Sequence, residues 1–593
     1  AAVKAAFDKS AKPYAADAFA ATSRTLDAYA LGWVAMHTDA CEATRVRGTQ
    51  SADLMDLRME CLQQRLDDVR AQVDLFAAAD DEVISRAAEM TRKLPPLTGC
   101  ADAEALRAPV RPPANAGARK RVDALRKELA TVRALWDGGR YAEAEKRVQP
   151  ALAGARDLGY RPLEAEALLM HGRLADSLGD YPTAVRAFRD AVVAAEAGRH
   201  DEVAALAETR LVWVTTLQEK LADAHELARS AQAKIDRIGH PELLQAGLDV
   251  AVASLFLEEG KYQEAEERSK RVLAVREKTL APDDVAIAGA LGDLGDAAVQ
   301  LGHYKEAIER YQRAISIFEH SVGGEHPKVG NLRVNLGAAL RSAGRIAEAL
   351  VEYKRAQGII ERSLGRDHPM LASIDLNVGA VLLDQGREAE AASQFKRAIE
   401  ISTRALGADH PNVGTAWYRL GNVALKQGRA DEGRADFQKA YDIWAAKLGA
   451  EHPTLSAALD GLGDAQLALG KPAAAMSYYK RALALLEKTV GPKHPDLADA
   501  LIGIGLTELA TNAPRRAVPP LERALALRET AGDPLEIARA RFALARALAQ
   551  GGDRTRAMGL ADEARAVYAK GDVTSARELV EIDHWLRIQR PHH

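Results

Sequence analysis

The chain has 593 residues, 47% of them hydrophobic but only 5% aromatic, and sets 80 Lys and Arg against 84 Asp and Glu for a net charge of −4. A single hydrophobic core stops growing beyond roughly 250–300 residues, so this length implies modules; an apolar fraction resting on Ala and Leu beside abundant Glu, Lys and Arg favours helix and leaves little room for β structure. The near-neutral balance offers no field suited to nucleic acid or an anionic membrane, and the longest apolar stretch near the start, Ala28 to Met36, falls far short of the roughly 20 residues that span a bilayer.

The opening at Ala1, with no charged start leading into an apolar signal region, reads as a fragment or processed product, and His592 and His593 as native residues or the stub of a tag. Residues 1–115 form a first module without a repeat. A long helix is expected from about Ala15 to Arg47, a turn at Gly48 to Ser51, a second helix from about Ala52 to Ala78 and a shorter one from about Asp81 to Lys93, which together read as a helical hairpin. Pro95, Pro96, Pro109, Pro112 and Pro113 then end helix formation and mark a linker. Cys41 and Cys61 sit at heights on the two hairpin helices that differ by only ~4–5 Å at 1.5 Å per residue. A disulfide between them, worth roughly 3 kcal/mol in an oxidising compartment, and a pair of small buried thiols are both open, because Cys100 makes the count odd and sequence does not assign pairing.

From about residue 120 a repeat begins. Divergent units occupy 116–240, with Gly139-Arg140-Tyr141, Ala144 and Ala151, then Gly179-Asp180-Tyr181, Ala184 and Ala191, then Ala224 and Ala231. Regular units occupy 241–531, where His-Pro recurs at His326, His368, His410, His452 and His494, always 42 residues apart. The same step links Gly260, Gly302, Gly344, Gly386, Gly428 and Gly470, and a small residue recurs from Ala265 and from Ala314. Small residues at fixed places in a Leu-rich helical pattern mark close approach of two helices. One unit is a helix pair: Pro327 suits a first turn, helix A runs to about Ser342, Gly344 caps it, and helix B runs from about Ile346 to Ser363 before Gly365. A last unit at Gly552, Ala557 and Ala564 and a capping helix over Ser575 to Ile588 complete 532–593, giving about eleven units over residues 120–570.

These residues resemble the tetratricopeptide repeat. The helix A positions Gly295, Gly337, Gly379, Gly421, Gly463 and Gly505, the small residue early in helix B and the Ala seven later follow its pattern, and the 42-residue unit with Leu-Gly-x-Asp-His-Pro, as at Leu364 to Pro369 and Leu406 to Pro411, resembles the kinesin-light-chain variety. The resemblance implies an all-α, right-handed superhelical α-solenoid whose A helices line a concave surface. It puts Asn331, Arg341, Tyr418, Asn422, Lys426, Asp460 and Asp464 at groove-facing positions as candidate partner-binding residues, against the alternative of ordinary solvated side chains, while Asn335 and Asn377 are candidates for bonding neighbouring backbone.

The run Ala40-Cys41-Glu42-Ala43-Thr44 through Arg47 to Ser51, then Asp56 to Leu62, Leu94 to Leu97 and Cys100, resembles a segment of myxobacterial serine/threonine protein kinases that follows the kinase domain and membrane helix; Ala197 to Glu202 and Arg210 to Val214 fit the same family's early repeats. This resemblance spans essentially the whole chain and implies the non-catalytic C-terminal region of a membrane-anchored kinase facing the periplasm, with a stand-alone relative or a cytoplasmic location as alternatives.

No motif for chemistry accompanies it. The chain has no His-Arg-Asp loop, no Asp-Phe-Gly and no Gly-rich loop with a strand lysine; Gly503-Ile504-Gly505 lacks the third Gly of a dinucleotide fingerprint and reads as helix packing, Gly470-Lys471 runs into Pro472, and His225-Glu226 lacks a second zinc histidine. The five His of the His-Pro pairs recur at spacings set by helix packing, at least ~8–10 Å, and so cannot share an ion; they read as turn residues. No carboxylate pair stands out. The expectation is therefore a protein or peptide partner without cofactor, metal, nucleic acid or direct membrane insertion, with self-association open; the rivals are a small-ligand sensor, a free periplasmic adaptor and a structural spacer.

Overall fold

The computed structural model describes residues 1–106, 113, 115–531, 533–570 and 576–589, and these hold twenty-eight α-helices and one 3₁₀ turn, with no strand among them. Pro109, Pro112, Ser575, His592 and His593 lie outside the described residues. No described helix is long and apolar enough to cross a membrane. Two compact units divide the chain, Ala1–Ala339 and Leu340–His593.

The first unit opens with α1 (Ala2–Asp8), which the sequence reading did not anticipate, followed by α2 (Ala15–Arg45), α3 (Ala52–Ala77) and α4 (Asp81–Arg92). The hairpin expectation holds to within two residues at each end, and Ser51 starts α3 by accepting the Leu54 N–H at 3.2 Å. Phe7, Tyr14, Phe76, Val83, Ile84 and Met90 form the module's core, so α1 and α4 cover the hairpin rather than trail from it. The Trp33 indole donates to the Leu62 carbonyl at 2.7 Å and locks α2 to α3.

The Cys41–Cys61 pairing is corrected by the structure. Cys61 bonds Cys100 across a Cα–Cα distance of 5.5 Å, and Cys41 is a free, half-buried thiol. Axial height is one coordinate of two: at that level α2 presses its buried Ala40 and Ala43 inward, and Cys41 lies to one side. After Pro95 and Pro96 the 3₁₀ turn Leu97–Cys100 returns the chain to α3, where the Arg58 guanidinium donates to the Cys100 carbonyl at 3.2 Å. The linker prolines bring Cys100 back instead of carrying it away.

Repeats follow as pairs: α6 (Ala116–Asp137) with α7 (Tyr141–Leu158) after the short α5 (Ala103–Leu106), α8 (Arg161–Ser177) with α9 (Tyr181–Gly198), α10 (Asp201–Leu217) with α11 (Leu221–Arg237), α12 (Glu242–Glu258) with α13 (Tyr262–Thr279), and α14 (Val285–Gln300) with α15 (Tyr304–Val322). The unit boundary falls within α16 (Pro327–Ser342). Beyond it run α17 (Ile346–Leu364), α18 (Pro369–Asp384) with α19 (Glu388–Leu406), α20 (Pro411–Lys426) with α21 (Ala430–Leu448), α22 (Leu455–Ala468) with α23 (Pro472–Thr489), α24 (Leu497–Ala510) with α25 (Pro514–Ala531), α26 (Pro534–Gly551) with α27 (Arg554–Tyr568), and the final α28 (Ala576–Gln589). The expected eleven pairs are present.

The 42-residue signals have physical causes. The repeated His residues lead into first helices: Nδ1 of His368, His410, His452 and His494 accepts the N–H two residues on at 3.2, 3.2, 3.3 and 3.3 Å, with Pro between, which caps α18 and α20 directly and forms a turn ahead of α22 and α24. Gly344, at φ +75°, ends its helix while the Arg345 N–H returns to the Leu340 carbonyl at 2.8 Å. Gly365 adopts φ 97°, ψ 164°, a region almost closed to residues with a Cβ. The helix A glycines seat rings from helix B: a Cβ on Gly421 would stand 2.9 Å from Phe437, and one on Gly463 2.6 Å from Tyr479. Phe437 is also approached by Gly461, where a Cβ would stand 2.7 Å from the ring, and Tyr479 by Gly503. Gly503 and Gly505 are thus packing positions.

Candidate interaction site

In the second unit α18 packs on α20, α20 on α22, α22 on α24 and α24 on α26, while the contacts of the second helices run to first helices. First helices that touch one another while second helices are held apart lie on the inner side of a curved stack. The candidate residues on α20 and α22 are carried by that inner side.

Four of the seven candidates come together. Tyr418 is half-buried, with its ring centroid 5.6 Å from Phe437 and 5.9 Å from Trp444, and its hydroxyl is bonded to Asn422; burial pushes its pKa up, and Asp460 and Asp464 add to that. One oxygen of Asp460 is buried with no hydrogen-bond partner among the described residues. Burial, reinforced by repulsion from Asp499 and Asp464, holds the Asp460 carboxyl well above the usual carboxylate range. Asp464 is also raised by burial and accepts the Tyr479 hydroxyl at 2.6 Å, although solvent reaches it, as befits a groove floor rather than a sealed core. Asp499 on α24 completes the group and is held by Arg528 at 2.9 Å and Arg539 at 3.0 Å. The expectation that no carboxylate group stands out is therefore corrected. Asp499 and Arg539 were not among the sequence candidates; Asp499 lies off the 42-residue columns of Asp460 and Asp464 (those columns continue as Ile502 and Leu506), so the period gave no signal for it.

The other three stand apart. Arg341 is committed to Asp384, Nε to carboxylate 2.6 Å, Lys426 is exposed at the end of α20, and Asn331 is exposed on α16 in the first unit. Asn335 bonds a side chain, Asp296 at 3.4 Å, and not backbone.

Tetratricopeptide repeat profiles match residues 244–320, 328–404, 370–423, 412–488 and 477–530 in one form, and 129–202 and 293–361 in another, together more than half of the chain. The chain belongs to the tetratricopeptide repeat family. Among solved structures, the putative kinesin light chain repeats of Podosopora anserina align at 22% identity and a TM-score of 0.31, covering 35% of this chain and 98% of that one. BtubC of P. vanneervenii aligns at 22% identity and 0.34, covering 39% and 92%. A Rap protein complexed with competence and sporulation factor aligns at 14% identity and 0.43, covering 66% and 100%. No curated protein matches the sequence.

The tetratricopeptide array has one group with metal-ligand spacing among the described residues, Glu266, His303 and Glu306, whose ligand atoms lie within 4.8 Å of one another. Arg310 donates to Glu266 at 3.0 Å and to Glu306 at 2.8 Å, and Lys270 reaches Glu266 at 3.2 Å, so side-chain cations already fill the position an ion would take.

The N-terminal module packs back on the array within the first unit. α3 packs on α6, and the module's far side meets the start of α16: the His326 ring donates from Nε2 to the Ser85 carbonyl at 2.7 Å while Nδ1 accepts the Lys328 N–H at 3.2 Å. Lys328 pairs with Glu89, and Arg92 donates to the Asp283 carbonyl at 2.6 Å. Burial opposes the Glu89 charge, but Lys328 and Lys93 outweigh it and hold its pKa at about 2. Burial lowers His326 to about 4, so at neutral pH the ring is uncharged. The sequence reading took His326 as one of five equivalent turn residues; it is that and a docking residue.

Proposed function

We propose that the chain is a non-catalytic protein-interaction solenoid whose second unit holds an extended peptide or a partner helix on its inner face. The observation that carries this reading is the grouping of Tyr418, Asn422, Asp460, Asp464, Asp499 and Arg539 across first helices of successive pairs. An unpartnered carboxylate oxygen among like charges is costly until a cation with N–H donors meets it, so the partner presents a Lys or Arg side chain there. Association weakens with salt accordingly.

We further propose that this solenoid is the sensing or scaffolding region of a membrane-anchored bacterial serine/threonine protein kinase, on the extracytoplasmic side, organised as 1–115, 116–240, 241–531 and 532–593. The kinase-like run from Ala40 to Cys100 supports it, and the Cys61–Cys100 bond favours an oxidising compartment. Reading the coding sequence ahead of Ala1 tests this: a membrane helix preceded by a kinase domain is the expected result, and a signal peptide would favour a free adaptor. For the groove, pull-down with the full chain is compared with Asp464→Lys, a substitution at a solvent-reached position. Retention of every partner at unchanged affinity would refute the groove assignment. A metabolite that raises the melting temperature while peptide arrays stay blank would favour a small-ligand sensor instead.

A further inference from the structure

The first unit carries another charged cluster, independent of the partner-binding reading. α6 packs on α8 and α8 on α10, and these helices bear Arg133, Arg173 and Arg210. Arg133 is paired with Asp68 at 3.4 Å. Among the described residues Arg173 has no carboxylate partner: its guanidinium reaches the Met170 sulfur at 4.0 Å and the face of Trp136 at 5.5 Å, and its Nε is buried without an acceptor. Arg210 has no ion pair among the described residues either; Asp176 is the opposing charge that acts on it. The other carboxylate near Arg173, Asp137, is held by Lys93 at 3.4 Å.

Guanidinium groups in low-dielectric surroundings are normally paired, because five N–H donors in a rigid fork lose water and gain nothing otherwise. Here two half-buried ones stand on the neighbouring helices α8 and α10, close enough for their charges to repel. Burial, with repulsion from Arg210 and Arg133, brings Arg173 down to about 9, and burial lowers Arg210 as well. The fork geometry matches the oxygens of a carboxylate or a phosphate, and not those of a neutral group.

We propose that Arg173 and Arg210, with Arg133 beside them, form an oxyanion site on the first unit that takes one carboxylate or phosphate group. The N-terminal module adjoins the site, since Lys93 sits 5.9 Å from the ring centroid of the same Trp136 that Arg173 covers. A bound oxyanion therefore acts on Trp136 through Arg173.

The test uses the full chain at fixed ionic strength, with inorganic phosphate and acetate as probes against chloride. Either anion at roughly tenfold its Kd is expected to raise the first unit's melting midpoint by about 2–4 °C and to change tryptophan emission, a change that Trp136→Phe removes. Arg173→Met with Arg210→Met is expected to abolish the rise while melting no lower than the parent without anion, because the pair repels when empty. Arg210→Gln alone is expected to weaken binding at least tenfold. A midpoint that neither anion moves, an equal rise in the double variant, or a double variant that melts below the parent without anion overturns the proposal. Binding of a peptide with a free C-terminal carboxylate but not of its amide identifies a chain end as the source, and binding of inorganic phosphate alone identifies a free anion.

Discussion

Replacing Gly461 by alanine sets two effects of similar size against each other. Alanine is favoured over glycine inside a helix by about 1 kcal/mol, and α22 would gain that. The new methyl would stand 2.7 Å from both Cδ1 and Cε1 of Phe437, well inside van der Waals contact. The ring is fully buried, and the same Cδ1–Cε1 edge is also confined by Gly421, where a Cβ would stand only 2.9 Å away. Overpacking of a tightly filled core costs about 1–3 kcal/mol, so the net effect is a loss of up to about 2 kcal/mol. The sign reverses at Gly247, a helical glycine with no atom within 4 Å of a built Cβ, where alanine should stabilise by up to ~1 kcal/mol. Urea unfolding of the full chain, with hydrogen exchange over α20–α22 to localise the effect in a molecule that need not unfold in two states, reads both variants. Phe437→Leu made in the Gly461→Ala background should cost less than it does alone. If Gly461→Ala stabilises the chain as Gly247→Ala does, the seating of rings on glycine is not what fixes helix spacing.

Three further outcomes are expected. Unreduced, denatured protein should titrate one thiol, Cys41, and three after reduction; Cys100→Ser should cost about 4 kcal/mol for a 39-residue separation, and three thiols before reduction would remove the bond. His326, depressed to about 4 from an ordinary value near 6.5, is protonated more readily in the unfolded chain, so the stability it contributes is present above pH 6.5 and is lost as pH falls toward 4, by up to about 3 kcal/mol; exchange at α4 and at the start of α16 should accelerate over that window, and His326→Asn should flatten it. Asp375, fully buried against Gln357 and Arg397 and raised by burial to about 6, has the opposite sign: the folded unit binds its proton more tightly, so the second unit should gain up to about 3 kcal/mol as pH falls from 6 toward 4, and Asp375→Asn should remove the gain. A second unit that weakens over that range by unfolding of α18 would contradict the last.

What the sequence disclosed was whatever repeats. Gly421 and Gly463 stand in register because each must admit a ring, and the His-Pro pairs because each starts a helix, so periodicity alone located the pairs and their ends. Features made once left no such trace. His326 is spelled like His368, yet only its ring reaches the Ser85 carbonyl, a contact spanning 241 positions of sequence. The Cys61–Cys100 bond depended on which way the chain turned after Pro96, which helix length does not encode. The grouping around Asp460 was half legible: Tyr418, Asn422 and Asp464 could be named from helix position, but Asp499 and Arg539 join them only through the spatial offset between neighbouring pairs.

The docking of the N-terminal module on both α6 and the start of α16 makes it a chord drawn across an arc. A chord of fixed length fixes the number of helix pairs beneath it. Between Ala116 and His326, then, the gene is not free to gain or lose a unit by duplication, since one more pair would carry His326 away from Ser85 and one fewer would drive it past. The regular units from Leu340 to Ala531 meet no such chord among the described residues, and length variation among descendants of this array should accumulate there.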